Sequence, residues 1–138
     1  MVKLKTTMPT KYNPLNDSQY MSKAMKAFFR AKLKSQRGDI HKRSLAFGKT
    51  LQGTTIKEPD SVDQSSLIQS RHDHLAYNKR EQHRYEIELA LQRLYNGNYG
   101  YCLAIGEPIG VQRLLAEPCA KYCLEAQITR ETLKFLQR

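Results

Sequence analysis

Residues 99–123 set the first limit on what this chain can fold into. They read Tyr-Gly-Tyr-Cys-Leu-Ala-Ile-Gly-Glu-Pro-Ile-Gly, then Val-Gln-Arg-Leu-Leu-Ala-Glu-Pro, then Cys119-Ala-Lys-Tyr-Cys123. Gly100, Gly106 and Gly110 permit tight turns. Pro108 presets φ for one of them. Apolar residues lie between the turns, and cysteines stand at both ends. A knuckle this short buries too little surface to stand alone, so the rest of the chain must brace it.

The bracing comes from helical patterns. Asn16-Asp17-Ser18 offers N-cap chemistry, and from Gln19 the apolar spacing is helical: Met21, Met25, Phe28, Phe29 and Leu33. Leu33, Ile40 and Phe47 recur every seven residues, with Leu51 four further on, as in a loose coiled-coil seam. Gly53 and Pro59 then break the helix, and Gly38 and Gly48 weaken it earlier. A second helix, capped by Ser61 or Asp63, runs through Leu67, Leu75, Tyr77, Ile87, Leu91 and Leu94 to Tyr95. Asn96-Gly97-Asn98 stops it, with Gly97 at the residue beyond the C-cap. A short helix from Leu124 closes the chain, with Leu124 and Ile128 expected to face the core. Two antiparallel helices of about 30 residues would each span roughly 45 Å. The expected class is therefore mainly α: a long antiparallel coiled-coil hairpin, a small globular knuckle and a C-terminal helix. Its expected divisions are a basic flexible tail at 1–18, the hairpin at 19–95 with its tip near 57–65, and the knuckle with its helix at 96–138.

Charge narrows the partner. The chain of 138 residues carries 23 Lys and Arg against 13 Asp and Glu, a net charge of +10. Nearly all the excess falls in the first 60 residues, which suits a polyanion: nucleic acid, a membrane surface or an acidic protein. No apolar run is long enough for a membrane span, and no secretory signal is visible. Three cysteines are an odd number, and free thiols in a reducing cytoplasm are the expectation. No nucleophile elbow, P-loop or zinc-protease motif is present, so an enzyme is not expected. His72 and His74 diverge by about 200° on a helix and make a poor metal pair.

The knuckle resembles the globular domain of the DksA/TraR family, bacterial regulators that bind RNA polymerase. Tyr99, Gly100, Cys102, Gly106, Ile109, Arg113, Leu114, Pro118 and Cys123 match the family pattern. Ile105 and Ala126 stand where that pattern has its second cysteines. The hairpin beside the knuckle extends the likeness over roughly residues 20–127.

By residue type alone, Asp63 caps a helix and Asp60 is a solvated turn residue. The resemblance implies more. Asp60 and Asp63 match an acidic pair at the family's hairpin tip, which enters the polymerase secondary channel and acts near the catalytic centre. Ser65 takes the place of a family alanine, a polar group for a methyl. The family also implies the alarmone ppGpp, held by basic side chains. Lys79, Arg80 and Arg84 are the candidates, while Gln127 occupies a position that is basic in the family. A weakened response follows.

For zinc, the thiol pairs are incomplete, because Ile and Ala cannot ligate. Cys102, Cys119 and Cys123 would need His72, His74 or His83 as a fourth donor. The expectation is no required cofactor and no zinc, with the three cysteines buried as small apolar residues and Ile105 and Ala126 filling the vacant site. The expected protein is a cytoplasmic monomer that binds RNA polymerase, with no sequence-specific DNA binding and no membrane. The alternatives are a non-specific nucleic-acid-binding protein and a helical-hairpin adaptor.

Overall fold

The computed structural model describes residues 12–53 and 64–138, with side chains assigned over 12–49 and 64–138. Among the described residues a 3-10 turn at Pro14–Asn16 precedes four helices: α1 (Lys23–Gly53), α2 (Gln64–Asn96), α3 (Val111–Ala116) and α4 (Leu124–Leu136). The chain divides into two compact units. One joins the residues up to Leu33 to Leu89–Arg138, and the other is Lys34–Glu88. Among the described residues no helix is long and apolar enough to cross a membrane.

In the first unit the core forms where the expected helical stripe meets the knuckle. Met25, Phe29, Leu33, Ala90, Leu94, Tyr99, Ile109 and Leu114 are buried. The Phe29 ring lies 5.3 Å from Phe28 and 5.7 Å from Tyr99, centroid to centroid. Tyr99 brings a hydroxyl into this core and donates it to the Pro118 carbonyl at 2.7 Å. Burial first, and then the neighbouring Cys119, keep the phenol far above its ordinary range, so it remains a neutral donor.

The start of α1 differs from the sequence reading. Met21 has φ 53°, which ends any helix running back to Gln19. The Ser22 hydroxyl therefore caps α1, accepting from the Met25 amide at 3.2 Å. Asp17, expected among the caps, organises the approach instead. It accepts from the Tyr12 and Ser22 hydroxyls and from the Gln19 amide. These bonds, Ser22 first, hold its carboxyl below the usual range. Residues 12–18 of the segment read as tail are thus hydrogen-bonded into the unit, and the 3-10 turn packs against α3.

The end of α2 follows the sequence closely. Gly97 has φ 83°, its amide reaches the Leu94 carbonyl at 3.4 Å, and the Asn98 amide reaches Arg93 at 2.9 Å. That crossed pair satisfies carbonyls the helix would leave open. In the knuckle, Gly100 has φ 89°, and a Cβ there would stand 2.8 Å from the Met21 side chain. Both constraints require glycine.

The second unit is an antiparallel helix pair. Arg37 meets Glu88, Ser44 meets Glu81 and Phe47 stacks on Tyr77. Seven residues forward on α1 match seven back on α2, which fixes the register. Ile40 and Ile87 are buried here, but Leu45, Leu67 and Leu75 are exposed, so the apolar seam is thin. Aromatic contacts supplement it: Phe47 stacks on Tyr77 at 5.3 Å and meets the His74 ring edge-on at 6.2 Å.

The helix expected from Leu124 forms, but its expected core contacts do not. Leu124 and Ile128 do not enter the core, and no residue of α4 is buried. At 100° per residue Leu124, Ile128 and Phe135 fall within about 40° of one another and form an exposed apolar face, while Leu133 points the opposite way.

Candidate functional site

Three places in the chain carry side chains that could act on a partner: the hairpin tip, the polar face of the hairpin, and the thiol end of the knuckle. Asp60 and Asp63 lie outside the described residues. Ser65 is the second residue of α2 and is exposed.

On the hairpin face, Lys79 and Arg80 share a cavity of about 550 Å³ with Ile40, Arg43, His83 and Glu86. Ala76, Lys79, Arg80 and His83 recur at three- and four-residue steps, so they form one face of α2. The Arg80 guanidinium stands 5.9 Å from the centre of the Phe47 ring. Its Nε is buried without a hydrogen-bond partner. Arg84 does not join this group. It ion-pairs with Glu81 at 2.8 Å and lines a separate cavity with Lys34, Arg37, Gly38 and His41. The three candidate cations are thus split between two cavities, and Glu86 places a carboxylate in the first. Gln127, on α4, donates to Glu131 one turn along its own helix. Sequence reasoning did not place Arg43, His83 or Glu86 beside Lys79 and Arg80, because the approach of Arg43 depends on the register across the hairpin.

At the knuckle, Tyr101 and Pro108 form an isolated antiparallel bridge, with the Cys102 amide on the Glu107 carbonyl at 2.7 Å and the Ile109 amide on Gly100 at 2.8 Å. The Leu103 amide bonds the Lys121 carbonyl at 2.9 Å and draws the segment before Cys123 alongside. Cys102 and Cys119 are buried and Cys123 is half-buried, all as free thiols. Burial acts to raise the Cys102 thiol, but the amides of Cys123, Ile105 and Ala104 and the Cys123 thiol hydrogen-bond its sulfur. The net result lies below the ordinary thiol range. Arg93 donates to the Cys119 carbonyl at 3.4 Å, and Arg113 to the Tyr122 carbonyl at 3.0 Å.

Residues 97–131 match the family model described as the prokaryotic dksA/traR C4-type zinc finger. The chain is 33% identical over 128 residues to the RNA polymerase-binding transcription factor DksA of Caulobacter vibrioides, covering 92% of this chain and 90% of that protein. The chain belongs to the DksA/TraR family. DksA of Escherichia coli is 28% identical over 123 residues, which are 87% of this chain and 80% of the relative. The solved structure of transcription factor DksA2 from Pseudomonas aeruginosa matches with a TM-score of 0.76 and 32% identity, over 86% of this chain and 92% of that one.

DksA/TraR membership raises the question of a four-cysteine zinc site, and the residues present do not fit one. The resemblance puts ligand positions at 102, 105, 123 and 126, and two of these are Ile105 and Ala126. Ile105 is 52% exposed and does not fill the position with core contacts, contrary to the sequence expectation. Among the described residues no three His, Cys, Asp or Glu side chains are grouped to hold a metal. The donor set near Cys102 is a pair of thiols, and a closed zinc site needs four ligands. Hydrogen bonds tie this knuckle together, from the Cys102 and Ile109 amides, the Tyr99 hydroxyl and the Arg113 guanidinium.

Proposed function

We propose that this protein is a cytoplasmic regulator of bacterial transcription that binds RNA polymerase through its helical hairpin and is not an enzyme. The observation that carries the reading is the 33% identity, over nine-tenths of both chains, to a protein named as an RNA polymerase-binding transcription factor. The hairpin suits this role physically. A long two-helix arm with a thin apolar seam and a polar surface can enter a narrow, charged passage without burying itself in its own protein. On this reading the arm enters the polymerase secondary channel. Asp60 and Asp63 act near the catalytic centre and alter the stability of promoter complexes, and Ser65 moderates the tip. No sequence-specific DNA contact is required, and the protein acts as a monomer.

The alarmone ppGpp is proposed to contribute weakly. Lys79 and Arg80, joined by Arg43, offer charge for its phosphates. Arg84 is engaged by Glu81, Glu86 opposes an anion in the same cavity, and Gln127 carries no charge. The test of both statements is transcription from an rRNA-type promoter, using a polymerase whose own separate alarmone site is disabled. The expected result is reduced output with the protein alone and a small further reduction with ppGpp. Unchanged output under both conditions would remove the regulatory reading in favour of an adaptor or a non-specific nucleic-acid binder.

The knuckle is proposed to fold without metal. Protein purified without chelator should contain far less than one zinc per chain by elemental analysis, and EDTA should leave its thermal unfolding unchanged. About one zinc per chain, lost together with cooperative unfolding on chelation, would overturn that statement.

A further inference from the structure

The thiol end of the knuckle plays no part in the proposed docking of the hairpin. Two backbone connections bring Cys102 and Cys123 together there. The Leu103 amide donates to the Lys121 carbonyl at 2.9 Å, which lays the segment before Cys123 beside the segment after Cys102. The Gly106 amide donates to the Cys102 carbonyl at 2.9 Å, and its φ of 74° lets the chain reverse there. That turn aims the Ala104 and Ile105 amides at the Cys102 sulfur, where the Cys123 amide and thiol also donate. Cys123 is the N-cap residue of α4, and its side chain makes no cap bond to the helix. The positive end of the α4 dipole therefore begins at the thiol pair. Other donors stand elsewhere. Cys119 is buried and has Arg93 and Tyr99 as neighbours. Positions 105 and 126 hold Ile and Ala. Among the described residues no third His, Cys, Asp or Glu side chain joins the pair.

We propose that Cys102 and Cys123 form a two-thiolate site for a single soft monovalent cation, Cu(I). Ligand softness argues for this ion, since thiolates select it. Ligand number argues the same way. Cu(I) has a filled d shell and is satisfied by two thiolates, whereas a closed Zn(II) site takes four ligands. Charge separates the two ions further. On binding, both S–H protons leave, two S–Cu bonds form and no electron is transferred, so the bound unit carries a single net negative charge. The amides of Ala104, Ile105 and Cys123 and the N-terminus of α4 meet that charge with partial positive ones. Zn(II) on the same two thiolates is neutral, gains less from those dipoles and leaves its other positions to water. Packing alone calls for no ring of donors around a sulfur, and thiols on two unconnected surface loops would lack both the ring and the pairing.

The experiment is an anaerobic titration of the reduced full chain against the coloured Cu(I)–bicinchoninate complex. The parent should withdraw one Cu(I) per chain and bleach the complex in proportion. X-ray absorption of the loaded protein should show two sulfur neighbours on the copper. Cys102→Ser and Cys123→Ser should each abolish the withdrawal, and Cys119→Ser should leave it at one per chain. Cys123 is half-buried at an N-cap, a position that serine favours, so Cys123→Ser should fold even where Cys102→Ser does not. Bound Cu(I) should also raise the thermal unfolding midpoint of the parent and of Cys119→Ser, and not that of Cys123→Ser. Zn(II) offered from a chelating dye should stay with the dye. A cooperatively folded parent that withdraws no copper would overturn the proposal. So would withdrawal unchanged in Cys123→Ser, more than one copper per chain, a third sulfur neighbour, or Zn(II) taken from its dye as readily as Cu(I).

Discussion

Asp63→Asn should abolish the effect of this protein on transcription while leaving its affinity for RNA polymerase within a few-fold of the parent. The substitution keeps size and shape and removes one negative charge. Near a protein surface, a carboxylate about 4 Å from a cationic group interacts by about 4 kcal/mol before desolvation and competing water are counted. Even a third of that is about tenfold in an equilibrium. On the proposed reading docking rests on the much larger helical surface of the arm, so binding should survive. Asp60→Asn should act in the same direction. The readout is in vitro transcription together with a binding measurement on the same protein. Equal loss of binding and regulation would show that the carboxylate anchors the protein and does not act on the catalytic centre. An unaffected transcriptional response would remove the tip from the mechanism.

Phe29→Ala should lower the stability of the protein by about 3–5 kcal/mol and its unfolding midpoint by many degrees. Phe29 is 0% exposed and sits between Phe28 and Tyr99, where α1 meets the knuckle. Removing a buried phenyl ring costs about 3–5 kcal/mol through lost transfer energy and the cavity left behind. A domain of this size has about 5–15 kcal/mol in all. Beyond this aromatic core the knuckle is closed by hydrogen bonds, from the Cys102 and Ile109 amides and the Tyr99 hydroxyl. The loss should appear as a fall of many degrees in the unfolding midpoint by circular dichroism. A midpoint within a few degrees of the parent would mean that the unit is held by something other than this aromatic core. Phe29→Leu, which keeps most of the volume, should recover most of the stability.

The hairpin was legible from the sequence because its signals are local. The seven-residue recurrence of Leu33, Ile40 and Phe47, and the Asn96-Gly97-Asn98 stop, act within one or two turns of helix. The helices run to 31 and 33 residues, close to the expected length. The knuckle was legible for a similar reason, since Gly97 and Gly100 are positions that only glycine fills without strain. Three features were not. The cap of α1 moved to Ser22 because the positive φ at Met21 depends on its packing over Gly100, a contact between residues distant in sequence. The helical spacing of Leu124 and Ile128 says that a face exists and not what covers it, and both side chains are exposed. The basic residues 79, 80 and 84 look like one cluster in sequence. Opposite positions on α1 divide them, Arg43 drawing one side into one cavity and Lys34, Arg37 and His41 lining the other with Arg84. Cross-hairpin register decides that, and it is set by contacts between residues distant in sequence.

The central claim, that this hairpin protein works by occupying the polymerase secondary channel, is tested most directly by competition. The protein is mixed with bacterial RNA polymerase at low salt, the complex is isolated, and a second protein known to fill the secondary channel is added in increasing amounts. The account predicts co-purification with the polymerase and progressive, complete displacement by the competitor. Failure to co-purify, or a complex that holds both proteins at once, would contradict it.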